Sequence, residues 1–588
     1  MFKMKSLVMA GLTRHLMSIV NKGIISCRGW RVKPAMTTGI LLAFFFNLQA
    51  QDLASPLDIP LYLSGNFGEL RSNHFHSGID FKTQGATGQP VRAVEDGYIS
   101  RIGVSPYGYG NVLYIHHPSG RTSVYGHLER FAPQIEALVR DSQYQKESFG
   151  VNFYLASGRL PVKKGERIAW SGNSGGSGGP HLHFEFRDTQ TEKALDPLPW
   201  FKNWVKDTAP PEIRELMIFP QAAQGGSANG SVQNQALKLI RDKSGRQSLA
   251  KSLTAWGPIG IGIKAYDRMN ETSNIYGVNE IILKVDGEEV YHSILDSFSF
   301  DDTRYLNTYI DWKEWTEHNS FFMKSFTDPG NRLGVNRAWG NGIISIDREK
   351  IYHLEYILKD VYGNTATFRF DITGQPAQLP PKEVEGIWFP FNRNNTLVEK
   401  GVELQIARRN LYTDIDLQVQ VIPSHTPFTP LYIIGERIPL HNYCPLTLDI
   451  VNDSYPDTSK YGVVYYWRDK KNWLGGKYSN GKITAQIREL GKFSVEIDTI
   501  PPSIVPLNEA KWETNRRIAF KISDNLSGIQ SYRGTLDGQF ALFEYDAKYN
   551  LLYCVYDPAR MKQGAQALLL VVTDGAGNQA KFRKTVRF

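Results

Sequence analysis

Residues 181–186 constrain the fold of this chain more than any other segment, because polar and apolar residues alternate along them. The segment is His-Leu-His-Phe-Glu-Phe. Successive side chains of a β-strand point to opposite faces, so His181, His183 and Glu185 are predicted to share one face of a strand. The three apolar residues between and after them are predicted to point into a core. Two imidazoles therefore project side by side from one strand.

A second string, about a hundred residues earlier, supplies further metal-binding side chains. His76 and Asp80 are four residues apart in His-Ser-Gly-Ile-Asp and meet on one face of a strand or of a helix, although Gly78 argues against a helix. The two strings together hold three ligands of the type that zinc prefers and a spare histidine, which is typical of a catalytic metal site. Seven of the 13 histidines lie between positions 74 and 183, which supports a site in that window.

Several neighbouring residues have simpler interpretations. His74, His116 and His117 are predicted to be strand-end or groove-rim residues rather than ligands. The run Gly175–Gly179 resembles a phosphate-binding loop, but no lysine follows it and no helix start is evident. We therefore interpret this run as a permissive loop that lets a peptide approach the backbone.

The fold class is predicted to be mostly β. Within residues 52–206, two antiparallel hairpins are expected, one over 91–102 around a turn at Glu95–Gly97 and one over 111–127 around Pro118–Gly120. Residues 131–160 contain a stretch of helical character and are predicted to be a helical insertion. Residues 52–206 thus form the first predicted domain, an antiparallel β-sheet with this insertion.

The remainder of the chain repeats itself. Asp207-Thr-Ala-Pro-Pro recurs as Asp498-Thr-Ile-Pro-Pro, and Asp360-Val-Tyr-Gly-Asn recurs as Asp574-Gly-Ala-Gly-Asn. Short strands with Asp-Gly and Gly-Asn turns are typical of immunoglobulin-like sandwiches. About three β-sandwich (Ig-like) domains are predicted after the first domain, with the boundaries 207–374 (enlarged by insertions), 375–497 and 498–588.

The N-terminal residues 1–50 are predicted to be a leader or signal peptide. An apolar run over 38–46 follows basic residues, is too short to span a bilayer, and precedes Ala50 as the last residue removed. Met36 is an alternative true start. Cys27 lies in a string that resembles a lipoprotein cleavage box, but charged residues break the preceding stretch, so anchoring there is disfavoured.

Charge excludes one class of function after the leader is removed. The chain carries a formal net charge of +8, and residues 1–50 hold seven basic and no acidic residues, which leaves 8 − 7 = +1. A nearly neutral protein offers no electrostatic basis for binding nucleic acid. No other stretch is long and apolar enough to predict a transmembrane helix in the mature chain.

Two cysteines, Cys444 and Cys554, remain outside the leader. An exported protein with two cysteines can form one disulfide, but nothing in the sequence brings these two together. Two buried free thiols are the favoured interpretation.

Five strings within residues 60–200, about a quarter of the chain, carry a family resemblance: Asn73–Phe81, Gly108–Val112, Tyr125–Leu128, Val162–Glu166 and Ser171–Glu185. With these strings the sequence resembles the lysostaphin-type (LytM-type) zinc metallopeptidases that cut peptidoglycan cross-links. The resemblance does not reach the C-terminal repeats. The insertion over 131–160 departs from the family pattern and makes inference about the substrate less direct.

The resemblance implies roles for five residues. His76, Asp80 and His183 correspond to the ligands of one Zn²⁺ per chain. His181 and His127 correspond to the histidines that flank the water on the metal. Our hypothesis is that one of the two accepts the proton of this water while the other stabilises the oxyanion. All five positions are filled here, whereas non-catalytic relatives that activate amidases typically lose one or more of them.

The leading hypothesis is therefore an exported zinc endopeptidase of the periplasm or cell envelope that hydrolyses peptidoglycan stem-peptide cross-links. A second hypothesis is a non-catalytic regulator or scaffold that binds cell wall or activates an amidase. In a third, the β-domains are the functional core as an envelope adhesion or assembly module. Those domains can position the catalytic domain, cover its groove, or dock an envelope protein partner.

Overall fold

A computed structural model describes residues 53–377, 379, 385–423 and 425–588. The predicted leader, with Met36, Ala50 and Cys27, lies outside the described residues. As predicted, the described chain is mostly β, with short helices between strands.

The first region, residues 53–206, contains the predicted antiparallel sheet. Its strands are β1 (Leu63–Gly65), β2 (Leu70–Arg71), β3 (His74–Phe75), β4 (Ile79–Lys82), β5 (Pro90–Arg92), β6 (Gly97–Val104), β7 (Asn111–His116), β8 (Arg121–Phe131), β9 (Val151–Tyr154), β10 (Pro161–Val162), β11 (Arg167–Ser171), β12 (His181–Asp188) and β13 (Ala194–Leu195). Its helices are α1 (Pro133–Gln145) and α2 (Leu198–Phe201). Helix α1 lies within the stretch predicted to be a helical insertion, which confirms that prediction.

The main sheet has the strand order β1-β4-β12-β8-β7-β6-β10, with β11 beside β8. The predicted hairpin over 111–127 is confirmed, because β7 pairs antiparallel with β8. The hairpin predicted over 91–102 is wrong: β5 pairs with β11, and Val91 lies opposite Ala169. The chain leaves β5 at the Glu95–Gly97 turn, and β6 pairs with β7 instead. A local turn signal did not reveal this long-range partner.

The second region contains strands β14 (Glu212–Pro220), β15 (Ser227–Ala228), β16 (Gln235–Arg241), β17 (Gln247–Leu249), β18 (Thr254–Tyr266), β19 (Glu280–Val285), β20 (Glu288–Ile294), β21 (Ser297–Phe298), β22 (Met323–Lys324), β23 (Asn336–Ala338), β24 (Ile344–Ile346), β25 (Ile351–Lys359) and β26 (Thr365–Gly374). Its α-helices are α3 (Leu306–Tyr309) and α4 (Trp312–His318). Strand β21 pairs with β13 of the first region. The first sheet therefore continues across the chain position 206/207.

Two further strand-rich regions complete the described chain. The third contains β27 (Ile387–Phe389), β28 (Asn395–Glu399), β29 (Val402–Ile406), β30 (Ile415–Leu417), β31 (Val419–Ile422), β32 (Leu431–Asp449), β33 (Tyr461–Trp467), β34 (Lys470–Gly475), β35 (Lys477–Ser479) and β36 (Lys482–Ile497). The fourth contains β37 (Ser503–Pro506), β38 (Arg517–Ser523), β39 (Ile529–Leu536), β40 (Gln539–Ala541), β41 (Glu544–Asp546), β42 (Leu551–Val555), β43 (Ala565–Asp574) and β44 (Gln579–Arg587), with helix α5 (Trp512–Asn515).

The two predicted repeats share a pattern of strand pairing. In the fourth region β37 pairs with β38, β39 pairs with β40 and β43, and β43 pairs with β44. In the second region β14 pairs with β18, β19 pairs with β20 and β25, and β25 pairs with β26. The fourth region builds two four-stranded sheets around one apolar core, which is consistent with a β-sandwich.

The apolar cores do not correspond one to one with the four regions. One continuous apolar core runs through the first and second regions, while the third and fourth regions have separate cores. Cys444 and Cys554 are buried free thiols in these two separate cores, as the sequence favoured. Among the described residues, none of the helices has the length and apolarity needed to cross a bilayer.

Candidate metal centre

Three adjacent strands bring the predicted site residues together. Strand β12 lies between β4 and β8, and His183 is opposite Asp80 on one side and Gly126 on the other. Leu182, Phe184 and Phe186 of β12 lie in the apolar core, whereas His181 and His183 line a groove, which confirms the predicted alternation. Their packing fixes the strand, and the pleat then directs the alternate side chains to the opposite face.

His76, Asp80 and His183 converge on one point. His76 Nε2 lies 3.1 Å from Asp80 Oδ1 and 3.1 Å from His183 Nδ1, and His183 Nδ1 lies 2.9 Å from Asp80 Oδ1. All three residues are buried. Two imidazole nitrogens and a carboxylate oxygen at these separations form a group that can hold a metal ion.

Hydrogen bonds on the far side of each imidazole fix which nitrogen faces this point. His76 Nδ1 lies 2.7 Å from the carbonyl of Asn66, so this nitrogen donates its proton and Nε2 is left as the acceptor. His183 Nε2 lies 2.9 Å from Glu185 Oε1, which leaves Nδ1 directed at Asp80. Glu185, predicted to share a strand face with His183, thus orients this predicted ligand.

Glu185 is itself held from three directions. Its carboxylate accepts hydrogen bonds from Ser77 Oγ (2.5 Å), Tyr109 Oη (2.6 Å) and Arg187 Nε (2.7 Å). Burial alone would raise the pKa of Glu185, but the Arg187 guanidinium and the bonds from His183 and Ser77 outweigh burial and hold that pKa well below its usual value. The carboxylate stays ionised beside His183.

Asp80 is ionised for a similar reason. Burial would raise its pKa, but the three neighbouring imidazoles, His76, His181 and His183, outweigh burial and hold the pKa well below its usual value. Arg71 Nη2 lies 3.4 Å from Asp80 Oδ2 and adds a positive charge at the edge of the site.

The imidazole rings of His127 and His181 contact each other in the same groove, with ring centroids 4.8 Å apart. His127 Nδ1 lies 2.8 Å from the Ser174 carbonyl, and His181 Nδ1 lies 2.8 Å from the Gly179 carbonyl. Each Nδ1 therefore donates, and each Nε2 is left as a proton acceptor. His181 Nε2 lies 3.5 Å from Asp80 Oδ1, so it is directed at the convergence point.

The backbone and the charge of His127 are both unusual. Its φ is 57°, a left-handed conformation that a non-glycine residue adopts rarely and that is often found at functional sites. Burial, together with the charges of His183 and His181, lowers the pKa of His127 to about 3. The imidazole is therefore neutral across the physiological range.

These residues line a groove with a volume of about 570 Å³. Gly176 and Gly178 form part of its wall, and His74 lies at the groove as a rim residue. The other two histidines assigned no ligand role lie elsewhere: His116 contacts Tyr98, and His117 contacts Asp96 and Ser123.

The second region contributes directly to this groove. Phe300 and Thr303 line it, and Thr303 Oγ1 accepts a hydrogen bond of 2.9 Å from the Phe75 amide. The side chain of Asn66 exchanges hydrogen bonds of 2.8 and 2.9 Å with the backbone of Gly277. Since the Asn66 carbonyl also holds His76, the second region supports a predicted ligand.

The fourth region contacts the glycine-rich loop from the other side. Lys548 Nζ donates to the Asn173 and Gly175 carbonyls. Arg140 of helix α1 bonds to Glu544 at 2.8 Å. The loop is thus held in place by residues far along the chain.

Sequence reasoning missed some residues of the site. Arg187 follows Glu185 at strand spacing, so the alternation of β12 could have revealed it. Tyr109 lies in a string that supported the resemblance, but no role was assigned to it. Asn66 and Phe300 carried no signal, because their contribution depends on contacts between distant segments.

Comparison with known proteins agrees with this geometry. Residues 74–144 match the model of peptidase family M23, and residues 387–498 match the model of a Zu5-like domain. The chain is 36% identical over 118 residues to the DD-carboxypeptidase/endopeptidase Mpg of Neisseria meningitidis serogroup B, which covers 20% of this chain and 21% of that protein. It is 34% identical over 110 residues to the peptidoglycan DD-endopeptidase ShyB of Vibrio cholerae, covering 19% and 20%.

A solved structure is similar to about a quarter of the chain. The catalytic domain of lysostaphin from Staphylococcus simulans is 28% identical, with 24% of this chain and 92% of that chain covered and a TM-score of 0.19. The chain spans about a fifth of the length of the curated relatives it matches.

Proposed function

We propose that this chain, which carries a domain of peptidase family M23, is an exported zinc-dependent endopeptidase that hydrolyses peptide cross-links in peptidoglycan. The observation that supports it best is the convergence of His76, Asp80 and His183 donor atoms within 2.9–3.1 Å of one another. Two further imidazoles, His127 and His181, lie beside them in the same groove.

The three donors fit zinc in number, type and spacing. Tetrahedral zinc with bonds of about 2.0–2.1 Å separates its ligand atoms by roughly 3.3–3.4 Å, so donors at 2.9–3.1 Å need to open only slightly. Three protein ligands that line an open groove are typical of a catalytic site rather than a structural one. We assign one Zn²⁺ per chain to His76, Asp80 and His183.

When bound, zinc supplies a Lewis acid that polarises a carbonyl and lowers the pKa of a coordinated water toward about 7. His127 and His181 would carry the protons of the reaction. One of them would accept the proton of the attacking water and return it to the amine nitrogen of the leaving peptide as the C–N bond breaks. The other, protonated from solvent, would donate a hydrogen bond to the oxyanion of the peptide. Both imidazoles contact a backbone carbonyl through Nδ1, and we assign the pair rather than an order.

Peptidoglycan stem peptides are the proposed substrate class. The support is the family of the matched domain and the relatives that share it, one of which is named a peptidoglycan DD-endopeptidase. The glycine-rich wall of the groove has little side-chain bulk, so an extended peptide can approach its backbone. Export to the periplasm or envelope is part of this proposal and is supported by the leader-like residues 1–50.

Mass spectrometry of digested sacculi tests the proposal. Purified sacculi are incubated with residues 52–588, which form one compact unit, with and without a chelator and after zinc is restored. We expect cross-linked muropeptides to disappear, with chelation stopping the reaction and zinc restoring it. His183→Ala should be inactive, and His116→Ala, a histidine outside the groove, should be active.

Persistence of all cross-linked muropeptides with zinc-loaded protein would contradict the proposal. If the loaded protein binds sacculi but cuts nothing, the regulator or scaffold hypothesis replaces it.

A further inference from the structure

Outside the groove, two groups of three aspartates lie in the predicted repeats. Asp207, Asp267 and Asp360 form one group in the second region, and Asp498, Asp524 and Asp574 form the other in the fourth region. Within each group, one carboxylate oxygen per residue lies within 4.8 Å of the others. All six are buried except Asp524, which is partly exposed.

The two groups occupy corresponding places in the two repeats. Asp207 and Asp498 open the matching Asp-Thr-x-Pro-Pro linkers. Asp267 directly follows β18, as Asp524 directly follows β38. The third members, Asp360 and Asp574, begin the Asp-x-x-Gly-Asn turns that precede β26 and β44. Neither position 267 nor position 524 stands out in the sequence, because their surrounding residues differ.

Hydrogen bonding is also repeated between the groups. Asp360 accepts from the amide and side chain of Asn364 at 2.9 and 2.7 Å, and Asp574 accepts from those of Asn578 at 2.7 and 2.8 Å. Each asparagine donates in turn to the carbonyl of the linker aspartate of its own repeat, at 3.3 and 3.0 Å. The groups are therefore held in place by the turns around them.

Several carboxylate oxygens in these groups lack any partner. Asp267 is 2% exposed and Asp207 is 6% exposed, yet Asp267 Oδ1 and Asp207 Oδ2 accept no hydrogen bond. Asp524 Oδ1 is buried and unpartnered in the other group. Within the part of the chain that the structure describes, none of the six forms an ion pair with a basic side chain. Asp207 and Asp524 accept backbone hydrogen bonds through their other oxygen, at 2.9–3.0 Å, but the oxygens named above have no donor. A buried acceptor without a donor or a counter-charge is unfavourable, so these oxygens point to a missing ligand.

The charges of the first group reinforce this conclusion. Burial and the neighbouring carboxylates raise the pKa of Asp267 to about 8, and burial with the charge of Asp360 raises the pKa of Asp207 to about 6. Three carboxylates packed together must take up protons or a cation. A cation removes the repulsion and also satisfies the unpartnered oxygens.

We propose that each of the two repeats binds one hard divalent cation of the Ca²⁺ type through its three aspartates. The donors are carboxylate oxygens only, without nitrogen or sulfur, which favours Ca²⁺ over zinc. Ca²⁺ takes six to eight oxygen ligands in flexible geometry, and it can complete its shell with carbonyls and water. These sites are separate from the groove, and their occupancy does not depend on the proposed peptidase activity.

The position of the sites suggests their purpose. Asp207 and Asp498 are the residues at which the chain enters each repeat. A cation that binds them also binds the loop after β18 or β38 and the turn before β26 or β44. Each ion thus fastens the incoming linker to the sandwich that follows it, and so limits motion between neighbouring regions.

Equilibrium dialysis of residues 52–588 against Ca²⁺ tests the proposal. The protein is stripped of metal and reloaded with one equivalent of zinc, so that the groove is filled first. We expect two Ca²⁺ per chain at saturation, and a rise in Tm of about 2 °C or more with excess Ca²⁺. Asp267→Asn and Asp524→Asn should each bind one Ca²⁺, and the double variant none.

Asp371→Asn is the matched control, because it removes one carboxylate from the exposed face of β26 and should leave two Ca²⁺ bound. Absence of saturable binding to the wild-type chain up to about 10 mM Ca²⁺, which exceeds the dissociation constants typical of extracellular Ca²⁺ modules, would overturn the proposal. Two ions retained in the double variant would overturn it equally. Asp524 is partly exposed, so its variant remains informative if Asp267→Asn folds poorly.

Discussion

At the scale of single residues, His183 is notable because both of its ring nitrogens contact a carboxylate. Its Nδ1 contacts Asp80 and its Nε2 contacts Glu185, each at 2.9 Å. Burial would lower its pKa, but the two carboxylates outweigh burial and raise the pKa of His183 to about 9. In the metal-free protein the imidazole is therefore protonated at neutral pH and must lose a proton before it can ligate zinc.

The loss of this proton from His183 predicts that zinc binding depends on pH. Because the metal competes with a proton at His183, apparent zinc affinity should rise about tenfold per pH unit from neutral pH and level off above pH 9 or so. Calorimetry in buffers of different ionisation enthalpy should show about one proton released per zinc at pH 7. Glu185→Gln removes one of the two carboxylates and should move the plateau to lower pH. Zinc binding without proton release would contradict this account of His183.

A second prediction separates the two histidines of β12. His181→Ala should keep one zinc per chain but lose about 10²–10⁴-fold in turnover, because its imidazole handles protons rather than metal. His183→Ala should lose both zinc and turnover. Metal analysis and muropeptide cleavage on the same preparations distinguish the two. Wild-type turnover by His181→Ala would show that this residue has no catalytic role.

At the scale of elements, the pairing of β4 with β12 assembles the metal centre. Gly78 immediately precedes β4, and a Cβ at this position would lie 2.2 Å from the Phe184 carbonyl. The two segments can approach this closely only because residue 78 has no side chain. The spacing of Asp80 and His183 depends on this approach.

Gly78→Ala should therefore push the two strands apart. We expect a loss of roughly 1–3 kcal/mol in stability, typical of overpacking, and weaker zinc binding. Thermal melting and zinc titration measure the two effects. Gly179→Ala is the matched control, since a Cβ there meets no atom within 4 Å and should change neither quantity. Unchanged zinc affinity in Gly78→Ala would show that the metal centre does not depend on this strand contact.

The strand pairings also show how far the sequence could predict the site. The alternation of β12 and the short hairpin of β7 with β8 are local patterns, and both were predicted correctly. Local patterns did not reveal that β5 pairs with β11, because that partner lies about 75 residues away in sequence. The convergence of His76, Asp80 and His183 was expected from motifs, but its supporting contacts, such as Asn66 with Gly277, required the three-dimensional arrangement.

At the scale of the whole molecule, the first and second regions share one core. Phe67 and Phe75 of the first region pack against Phe298 of the second, with ring centroids 5.0 and 5.5 Å apart. From the sequence, residues 52–206 are predicted to be one domain. Burial across position 206 is a long-range property that composition and repeats do not encode.

This shared core predicts that residues 52–206 will not fold stably alone. Truncation at 206 exposes Phe67 and Phe75 and removes the Gly277 backbone that holds Asn66. We expect a poorly soluble fragment without a cooperative thermal transition, whereas residues 52–374 should melt cooperatively. Circular dichroism melting tests both fragments. A cooperative transition of 52–206 near the Tm of the longer fragment would show that the shared core contributes little.

Anomalous diffraction at the zinc edge, from crystals of residues 52–588 grown with zinc, tests the central claim most directly. The account predicts one strong peak in the groove, within bonding distance (about 2.0–2.2 Å) of His76 Nε2, an Asp80 carboxylate oxygen and His183 Nδ1. His127 and His181 should lie beside the peak without binding it. A peak elsewhere, or no peak in zinc-saturated crystals, would contradict the assignment of these three residues as the ligands of a catalytic metal.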